Sequence, residues 1–466
     1  MSSVNNKSRF QIDMCSGPIL PKLLRFALPL MATNLLQLMF AAADSVVVGL
    51  FAGEDSLAAV GATVSLINLI TNLFLGLSVG VNVVAARCFG AKNDEELSQT
   101  THTSIFISAI IGLIMTAIGL IGAEQILILM KTPPEILPLS VRYLRIYFIG
   151  MTSMTIYNFG AALLRAIGDT KRPLIFLLIS GGLNILLNLC FVIFLKLGVA
   201  GVATSTAITQ TLSAALILTC LSRERGGIRF IPKKLAINRK KLGQIVAIGL
   251  PAGLQASMYS ISNVIIQSSI NIFGKTVIAA STASVNIEDM VYFTMNAIQQ
   301  AVTSFTGQNM GVRNYKRILN IQLIGQAAVI ITGVVISSIE IIFAPQLLSI
   351  FSDSAEVIAI GTARMRYVVL LYFTCGMMEV FVGGLRGMGS SVLPTIASLI
   401  GICAFRVVWL STVFQIEAYH TIKTVYMLYP ITWVITCIAE AICFFAVYRH
   451  KKRLNDIYNM RKEVIE

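Results

Sequence analysis

LRAIGDTKRP, residues 164–173, has a counterpart 221 residues later in LRGMGSSVLP, residues 385–394. At the same offset FGAKN, residues 89–93, falls on MGVRN, residues 310–314. Shared Arg, Gly, Asn and Pro positions at one offset do not arise merely because two sequences are similarly apolar. A fixed internal offset of this kind indicates that the chain consists of two homologous halves.

The composition around these repeats is that of a membrane protein. Of the 466 residues 56% are hydrophobic and only 12% are charged, whereas an ordinary soluble domain has about 25% charged residues. The net charge of +14 does not indicate nucleic-acid binding, because the Lys and Arg residues lie in short segments between apolar runs and not on one soluble face. We therefore expect an integral membrane protein without a nucleic-acid partner.

Twelve segments are apolar over the roughly 20 residues that a membrane-spanning helix requires. They are 23–51, 58–87, 103–128, 140–163, 173–195, 199–221, 245–272, 277–307, 319–345, 365–386, 392–415 and 425–448. The predicted fold class is thus an all-α integral membrane protein with twelve transmembrane helices. Pro29 and Pro251 lie inside two of these segments and are natural positions for a bend.

The distribution of basic residues predicts the topology. Most of the 36 Lys and Arg residues fall on the side of the membrane that the N-terminus shares, which places both termini in the cytoplasm. The N-terminal stretch has neither the apolar core of a signal peptide nor the Arg-rich pattern of a transit peptide. We expect a multi-pass protein of the plasma membrane, of the bacterial inner-membrane type, whose first span is its own targeting signal.

The two halves form two six-helix lobes in this prediction: an N-lobe over 1–221, a basic cytoplasmic linker over 222–243 and a C-lobe over 244–466. Six spans are an even number, so both lobes have the same orientation and are related by a pseudo-twofold axis along the membrane normal. The linker, with eight Lys or Arg residues, is typical of a solvated segment, and contact with anionic membrane lipids is the alternative. A central cleft between two such lobes suits alternating access.

Motifs for nucleotides and for catalysis are missing from the sequence. FGKT at 273–276 resembles the end of a phosphate-binding loop, but the required Gly is replaced by Ser269. His102, His420 and His450 are far apart and form neither a metal site nor a nucleophile–histidine pair. We expect no enzymatic activity, no cofactor and no metal other than a coupling sodium ion, so an ion gradient would drive any transport.

Ionisable residues inside the membrane are rare and costly, which makes each a candidate for function. Asp44, in QLMFAAADSVVVGLF at 37–51, lies about 28 Å from Arg25 along a helix that rises roughly 1.5 Å per residue. This depth places it in the outer half of the first span. Asp44 could bind a proton or, with neighbouring oxygens, a sodium ion; the alternative is a hydrated residue near the outer interface. Gln37 of the same stretch is a further candidate for substrate or ion binding.

Two amides of the fifth span form the next candidate pair. Asn184 and Asn188 are four residues apart and therefore share one face of a helix. Their carbonyl oxygens could bind a cation without adding charge. The alternative is interhelical hydrogen bonding, which is common in membranes.

The second half contributes three acidic candidates. Glu379 is the most deeply placed, and the repeat aligns it with Asn158, which is therefore also a candidate. Glu288 and Asp289 lie in the eighth span. These acids could bind substrate or a second ion, and the alternative is structural pairing with Arg406 or a neighbouring helix.

Several stretches, in their order along the chain, resemble the multidrug and toxic compound extrusion (MATE) transporters of prokaryotic type. They are FALPLMATNLLQLMFAAADSVVVGLF at 26–51, LNILLNLCFVIFLKLGVAGVATST at 183–206, GQNMGVRN at 307–314, and the pair LLRAIGDTKRP at 163–173 and GLRGMGSS at 384–391. The resemblance covers nearly the whole chain.

The resemblance implies an antiporter that exchanges sodium ions or protons for organic, often cationic, compounds. The N-lobe cation site of such transporters uses an Asp of the first helix, an Asn and an Asp four apart in the fifth, and a Thr of the sixth. Asp44, Asn184 and Thr206 match three of these positions, whereas Asn188 stands where the second Asp is expected. Asp44 alone would then neutralise a bound sodium ion, and the coupling ion is left open. Glu379 lies in the tenth helix, where some members have a cation-binding acid.

We therefore expect a secondary active exporter, monomeric and surrounded by lipid, whose substrates are small organic cations. A flippase or exporter of lipid-linked sugars or metabolites from the same superfamily is the main alternative, but a cationic cleft expected of such a flippase conflicts with the intramembrane acids. A receptor without transport activity would need a folded domain outside the membrane, and no loop is long enough for one. A major facilitator would carry a charged Gly–Asp–Arg loop, which RCFGAKNDEEL at 87–97 lacks.

Overall fold

The structure is a computed structural model that describes residues 10–465, and within this range the chain forms helices and no β-strand. The first half contains α1 (Ile19–Phe51), α2 (Glu54–Gly90), α3 (Asp94–Leu129), α4 (Leu137–Ile149), α5 (Met151–Ala166), α6 (Lys171–Leu189) and α7 (Val199–Arg223). The second half contains α8 (Arg239–Asn271), α9 (Lys275–Gly311), α10 (Tyr315–Ile342), α11 (Ala344–Ser349), α12 (Ala355–Val368), α13 (Tyr372–Gly387), α14 (Val392–Ser398), α15 (Phe405–Ser411) and α16 (Ile422–Ile465). Both extreme termini, which the topology prediction places in the cytoplasm, lie outside the described residues.

Each of the twelve predicted spans falls on a helical segment, which confirms the all-helical fold class. Within the described range, ten segments are long and apolar enough to cross a membrane. The other two are α9 and the pair α4–α5, which is divided at Gly150. A Cβ atom on Gly150 would lie 3.0 Å from Cα of Ala207, so the division coincides with a close approach of α7.

Helix α9 is less apolar than the ten segments because several of its polar side chains are buried inside the protein. Ser284, Gln299 and Thr303 are among its buried residues. In contrast, Leu113, Ile121 and other large apolar side chains on the spans are exposed. Apolar groups that face outward around a polar interior are what a surrounding bilayer requires.

The repeated FGAKN and MGVRN stretches form equivalent turns between two helices. Asn93 Oδ1 accepts a hydrogen bond from the Glu96 backbone N–H at 3.0 Å and caps α3. Asn314 Oδ1 accepts one from the Arg317 backbone N–H, also at 3.0 Å, and caps α10. A capping oxygen satisfies a backbone donor that has no partner inside the helix. Helix capping therefore accounts for the Asn that both halves share.

The chain divides into two compact units. Unit 1 contains 10–13 and Ala32–Gly249, and unit 2 contains Met14–Met31 and Leu250 onward. Helices α1 and α8 contribute to both units, and each changes unit within two residues of its proline. The predicted lobe and linker boundaries stay predictions.

The same repeated segment is central in each unit. In unit 1, α5 packs against α2, α3 and α7. In unit 2, α13 packs against α9, α10 and α16. Because the 221-residue offset aligns α5 with α13, duplication of the sequence is accompanied by an equivalent placement of these two helices within their own units.

The basic segment between α7 and α8 is attached to the start of α3 inside unit 1. The backbone N–H of Gly227 donates to Asp94 Oδ1 at 3.0 Å, and the backbone N–H of Ile231 donates to His102 Nε2 at 3.1 Å. Phe230 is buried and its ring stacks on His102 with the centroids 6.0 Å apart. Most basic side chains of this segment remain exposed, so hydrogen bonds from its backbone to Asp94 and His102 and the packing of Phe230, not its Lys and Arg side chains, attach the segment to α3.

We expect His102→Ala to loosen this segment. The substitution removes the acceptor of the Ile231 N–H and the ring that stacks on Phe230. A buried donor left without a partner costs about 1–3 kcal/mol, and each 1.4 kcal/mol is tenfold in an equilibrium. Trypsin should therefore cleave the purified protein after Lys233 or Lys234 roughly tenfold faster. His450→Ala, at an exposed histidine, serves as the control, and equal cleavage rates for all three proteins would refute the attachment.

Candidate functional site

Asp44 and the two amides of α6 meet inside unit 1. Asn188 Nδ2 donates to Asp44 Oδ1 at 2.5 Å and to Asn184 Oδ1 at 3.2 Å. Asn188 is fully buried, Asn184 is buried and Asp44 is half-buried. The four-residue spacing on α6 places both amides on the face that meets α1. We call these three residues the Asp44 cluster.

A glycine one turn before the amides brings α1 and α6 together. The ring of Phe40 occupies the space that a Cβ atom on Gly181 would take. Phe40 and Asp44 are four residues apart on α1, so this contact places Asp44 alongside Asn184 and Asn188. A π-helical turn, Cys190–Phe194, begins just after Asn188. Such turns widen a helix locally and are frequent at functional sites.

Helix α7 contributes hydroxyl groups to the cluster. Ser205 Oγ donates to Asn188 Oδ1, and Asn184 Nδ2 donates to Thr209 Oγ1 at 3.4 Å. The side chain of Thr206, the residue that the family resemblance implies, does not hydrogen-bond to the cluster. Its Oγ1 is buried and has no hydrogen-bond partner among the described residues.

Two tyrosines of α4 complete the surroundings of Asp44. Tyr143 and Tyr147 stack with their ring centroids 6.0 Å apart. Both interact electrostatically with the Asp44 carboxylate. In the described part of the chain Asp44 forms no ion pair with a basic side chain. One carboxylate without a basic partner, next to amide and hydroxyl groups that can reorient, is chemically suited to a single monovalent cation or a proton.

In unit 2, Glu288 is neutralised by an arginine that sequence analysis did not identify. Arg364 Nη1 lies 2.9 Å from Glu288 Oε1, and Nη1 also donates to the Ser281 carbonyl at 3.1 Å. Of the two structural alternatives, pairing with a neighbouring helix is the one that the structure shows for Glu288, and Arg406 is not its partner. Arg406 Nη1 instead donates to Asn263 Oδ1 at 3.1 Å.

None of the remaining candidates is among the hydrogen-bond partners of the Asp44 cluster within the described residues. In unit 2, Asp289 is half-buried near Arg364, and Glu379 is buried in electrostatic contact with Arg386. In unit 1, Asn158 Nδ2 donates to the Met154 carbonyl of its own helix at 2.9 Å. Gln37 is exposed and lies seven residues before Asp44, on the same face of α1.

Sequence reasoning missed Ser205 and Thr209 although a signal was present. They are four residues apart on α7, the same spacing as Asn184 and Asn188 on α6. Two helices that each carry polar residues at this spacing can hydrogen-bond along matching faces. The same spacing criterion applied to α7 would have added Ser205 and Thr209 to the candidates, but Thr206 and Gln210 are also four residues apart, so it would not have chosen between them.

Comparisons with known proteins agree with this architecture. The MatE family model matches residues 29–190 and again 251–410, one match in each half of the chain. The probable multidrug resistance protein YoeA of Bacillus subtilis (strain 168) is 26% identical over 389 residues, which are 82% of this chain and 84% of YoeA. The probable multidrug resistance protein YpnP of the same organism is 28% identical over 396 residues, which are 84% of this chain and 88% of YpnP.

A solved structure gives the same result for the fold. It is the outward-facing conformation of a multidrug resistance MATE family transporter of the MOP superfamily, and it matches with a TM-score of 0.89 at 22% identity. The match covers 96% of this chain and 100% of that chain, which confirms the twelve-helix, two-lobe fold class. Since the family model covers most of the sequence, the chain belongs to the MatE family, whose members are multi-pass membrane transporters and not enzymes.

Proposed function

We propose that this protein is a secondary active multidrug exporter that releases small organic cations from the cell in exchange for inward-moving sodium ions or protons. The observation that carries the proposal is the Asp44 cluster, in which a membrane carboxylate without an ion-pair partner faces amide and hydroxyl groups. Buried charge of this kind is costly and is retained in transporters where an ion binds. The names of YoeA and YpnP support multidrug compounds as the substrate class.

Asp44 is the principal coupling residue in this proposal. The Asn188 amide nitrogen donates a hydrogen bond to Asp44. It therefore occupies the position beside the carboxylate where a cation would bind. Binding of sodium would turn the Asn188 oxygen toward the ion, while Asn184 and Thr206 supply further oxygens. Binding of a proton would neutralise Asp44 directly. Either event changes the charge of unit 1 and can bias alternating access, because a ligand shifts a conformational equilibrium through its different affinity for the two states.

The proposed exporter also has a definite membrane, orientation and oligomeric state. The exporter works as a monomer in the plasma membrane, of the bacterial inner-membrane type, with both termini cytoplasmic. The exposed Arg and Lys side chains between α7 and α8 suit contact with anionic lipid headgroups on the cytoplasmic surface. Glu379, Glu288 and Asp289 would contribute to substrate or ion binding from unit 2.

Drug susceptibility tests this function. We expect an efflux-deficient bacterial host that expresses the chain to tolerate higher concentrations of several organic cations than the same host with an empty vector. Raising sodium at fixed pH should increase the tolerance if sodium is the coupling ion, and changing pH at fixed sodium should do so if the proton is. Tolerance unchanged across a broad panel, with the protein present in the membrane, would refute multidrug export.

A further inference from the structure

A buried polar network in unit 2 is organised by Gln255 of α8. Its Oε1 accepts a hydrogen bond from Arg386 Nη2 at 2.8 Å and lies 3.3 Å from Thr395 Oγ1, whose hydrogen is closer to the Ser391 carbonyl at 2.8 Å. Its Nε2 donates to Ser398 Oγ at 2.9 Å and to Tyr259 OH at 3.0 Å. A guanidinium can only donate, so Arg386 determines which end of the amide is the oxygen and leaves Nε2 to donate to Ser398 and Tyr259.

The orientation of Gln255 determines what Ser398 does. Ser398 Oγ accepts from Gln255 and has one hydrogen of its own, which it donates to Glu440 Oε1 at 2.6 Å. Glu440 lies in α16 and is 0% exposed. Its Oε2 has no hydrogen-bond partner among the described residues. A single neutral hydroxyl is thus the hydrogen-bond donor that the structure gives this carboxyl group.

The charged and titratable groups that face Glu440 do not compensate it. They are Glu379, Arg386 and Cys375 of α13, Tyr259 of α8, and Cys437 and Cys443 of α16 itself. Arg386 is the one base in this group, and it faces two acids. It also donates to Gln255. One guanidinium can neutralise one carboxylate, and Glu379, seven residues earlier on the same helix, interacts with it.

We infer that Glu440 is a second proton-binding site of this protein, in addition to the Asp44 cluster. An ionised carboxylate that is fully buried with one neutral hydrogen bond is strongly unfavourable and is avoided by taking up a proton. Uptake forms an O–H bond at Oε2 and makes the side chain neutral, while Ser398 continues to donate to Oε1. Release returns the proton to water and leaves a negative charge linked through Ser398 and Gln255 to Arg386.

This inference rests on the proposed function for its physiological meaning, because a proton bound in unit 2 would take part in the antiport cycle. Its chemistry rests on unit 2 alone. A proton suits the site better than sodium, because a buried sodium ion requires several oxygen ligands, whereas Ser398 is the one described group that bonds to Glu440.

Infrared spectroscopy of the purified, membrane-reconstituted protein at neutral pH tests the inference. A protonated carboxylic acid has a C=O stretching band that is separate from the bands of carboxylates and amides. We expect Glu440→Gln to lose part of this band. Ser398→Ala should move that same part to higher frequency, because it removes the hydrogen bond to the C=O oxygen. Glu356→Gln, at an exposed acid, is the matched control and should leave the band unchanged.

Two results would overturn the inference. One is a carboxylic-acid band in Glu440→Gln equal to that of the wild type, in a sample whose amide bands show that the variant is folded. If Glu440→Gln does not fold, an unshifted carboxylic-acid band in Ser398→Ala would likewise overturn the inference. The other is replacement of the part of the band that Glu440→Gln lacks by carboxylate absorption when sodium is added at fixed pH, which would make Glu440 a sodium site. Because the band is read without substrate, failure of drug export would leave this test unaffected.

Discussion

Replacing Asp44 by Asn should reduce gradient-dependent export roughly 10-fold to 100-fold. Asparagine keeps the size of the side chain and can still hydrogen-bond to Asn188, but it removes the negative charge that holds the coupling ion. Hydrogen bonds and contacts to a charged group contribute about 1.5–3 kcal/mol, and each 1.4 kcal/mol is a factor of ten. The measurement is the initial rate of efflux of a fluorescent organic cation from energised cells, normalised to the amount of protein in the membrane.

Asp55→Asn provides the matched control. Asp55 is an exposed acid in the first turn of α2, so the substitution makes the same chemical change outside the cluster, and we expect export at the wild-type rate. Ser205→Ala should have a smaller effect than Asp44→Asn, because it removes one neutral hydrogen bond to Asn188. Export by Asp44→Asn at the wild-type rate, with the same dependence on the gradient, would exclude Asp44 as the coupling residue.

The second large effect is expected at the buried ion pair of unit 2. Arg364→Met removes a guanidinium that is 1% exposed and leaves Glu288 buried without its counter-ion. Loss of one partner of a buried pair costs about 3–5 kcal/mol. The substitution also removes the packing of Arg364 over the rings of Tyr426 and Tyr429, at 5.7 and 5.8 Å. The purified protein should therefore unfold at a clearly lower temperature and a lower denaturant concentration.

A double substitution separates the charge from the packing. Glu288→Gln combined with Arg364→Met no longer buries an unpaired charge, so it should be more stable than Arg364→Met alone. Arg366→Met, a neighbouring arginine on the same helix, is the control for loss of a basic residue from α12. A double variant no more stable than Arg364→Met would mean that packing, and not the ion pair, accounts for the loss.

Much of the architecture could be predicted because it depends on local sequence. Apolar length predicted the twelve spans. The shared Asn of FGAKN and MGVRN could be recognised in the sequence because each caps a helix by a hydrogen bond to a residue three positions later. The division of the fourth span at Gly150 was not predicted. It coincides with the close approach of Ala207, a tertiary contact that apolar length does not report.

In the candidate sites, residues that share one helix could be paired from the sequence, whereas contacts between helices could not. Asn184 and Asn188 could be paired because their spacing alone places them on one face of α6. The choice between Ser205 and Thr206 could not be made in that way, since adjacent residues point about 100° apart around a helix. It depends on the rotation of α7, which packing sets. The pairing of Glu288 with Arg364 likewise depends on how α9 and α12 pack.

The central claim is that binding of a cation at Asp44 drives export, and transport by the purified protein in liposomes tests it most directly. A fluorescent organic cation is placed at equal concentration on both sides of the liposome membrane, and a sodium gradient at equal pH or a proton gradient at equal sodium is imposed. We predict that one of the two gradients moves the compound against its own concentration gradient with the wild type, and that Asp44→Asn does so roughly 10-fold to 100-fold more slowly. Uphill transport of equal rate by the wild type and by Asp44→Asn would contradict the claim.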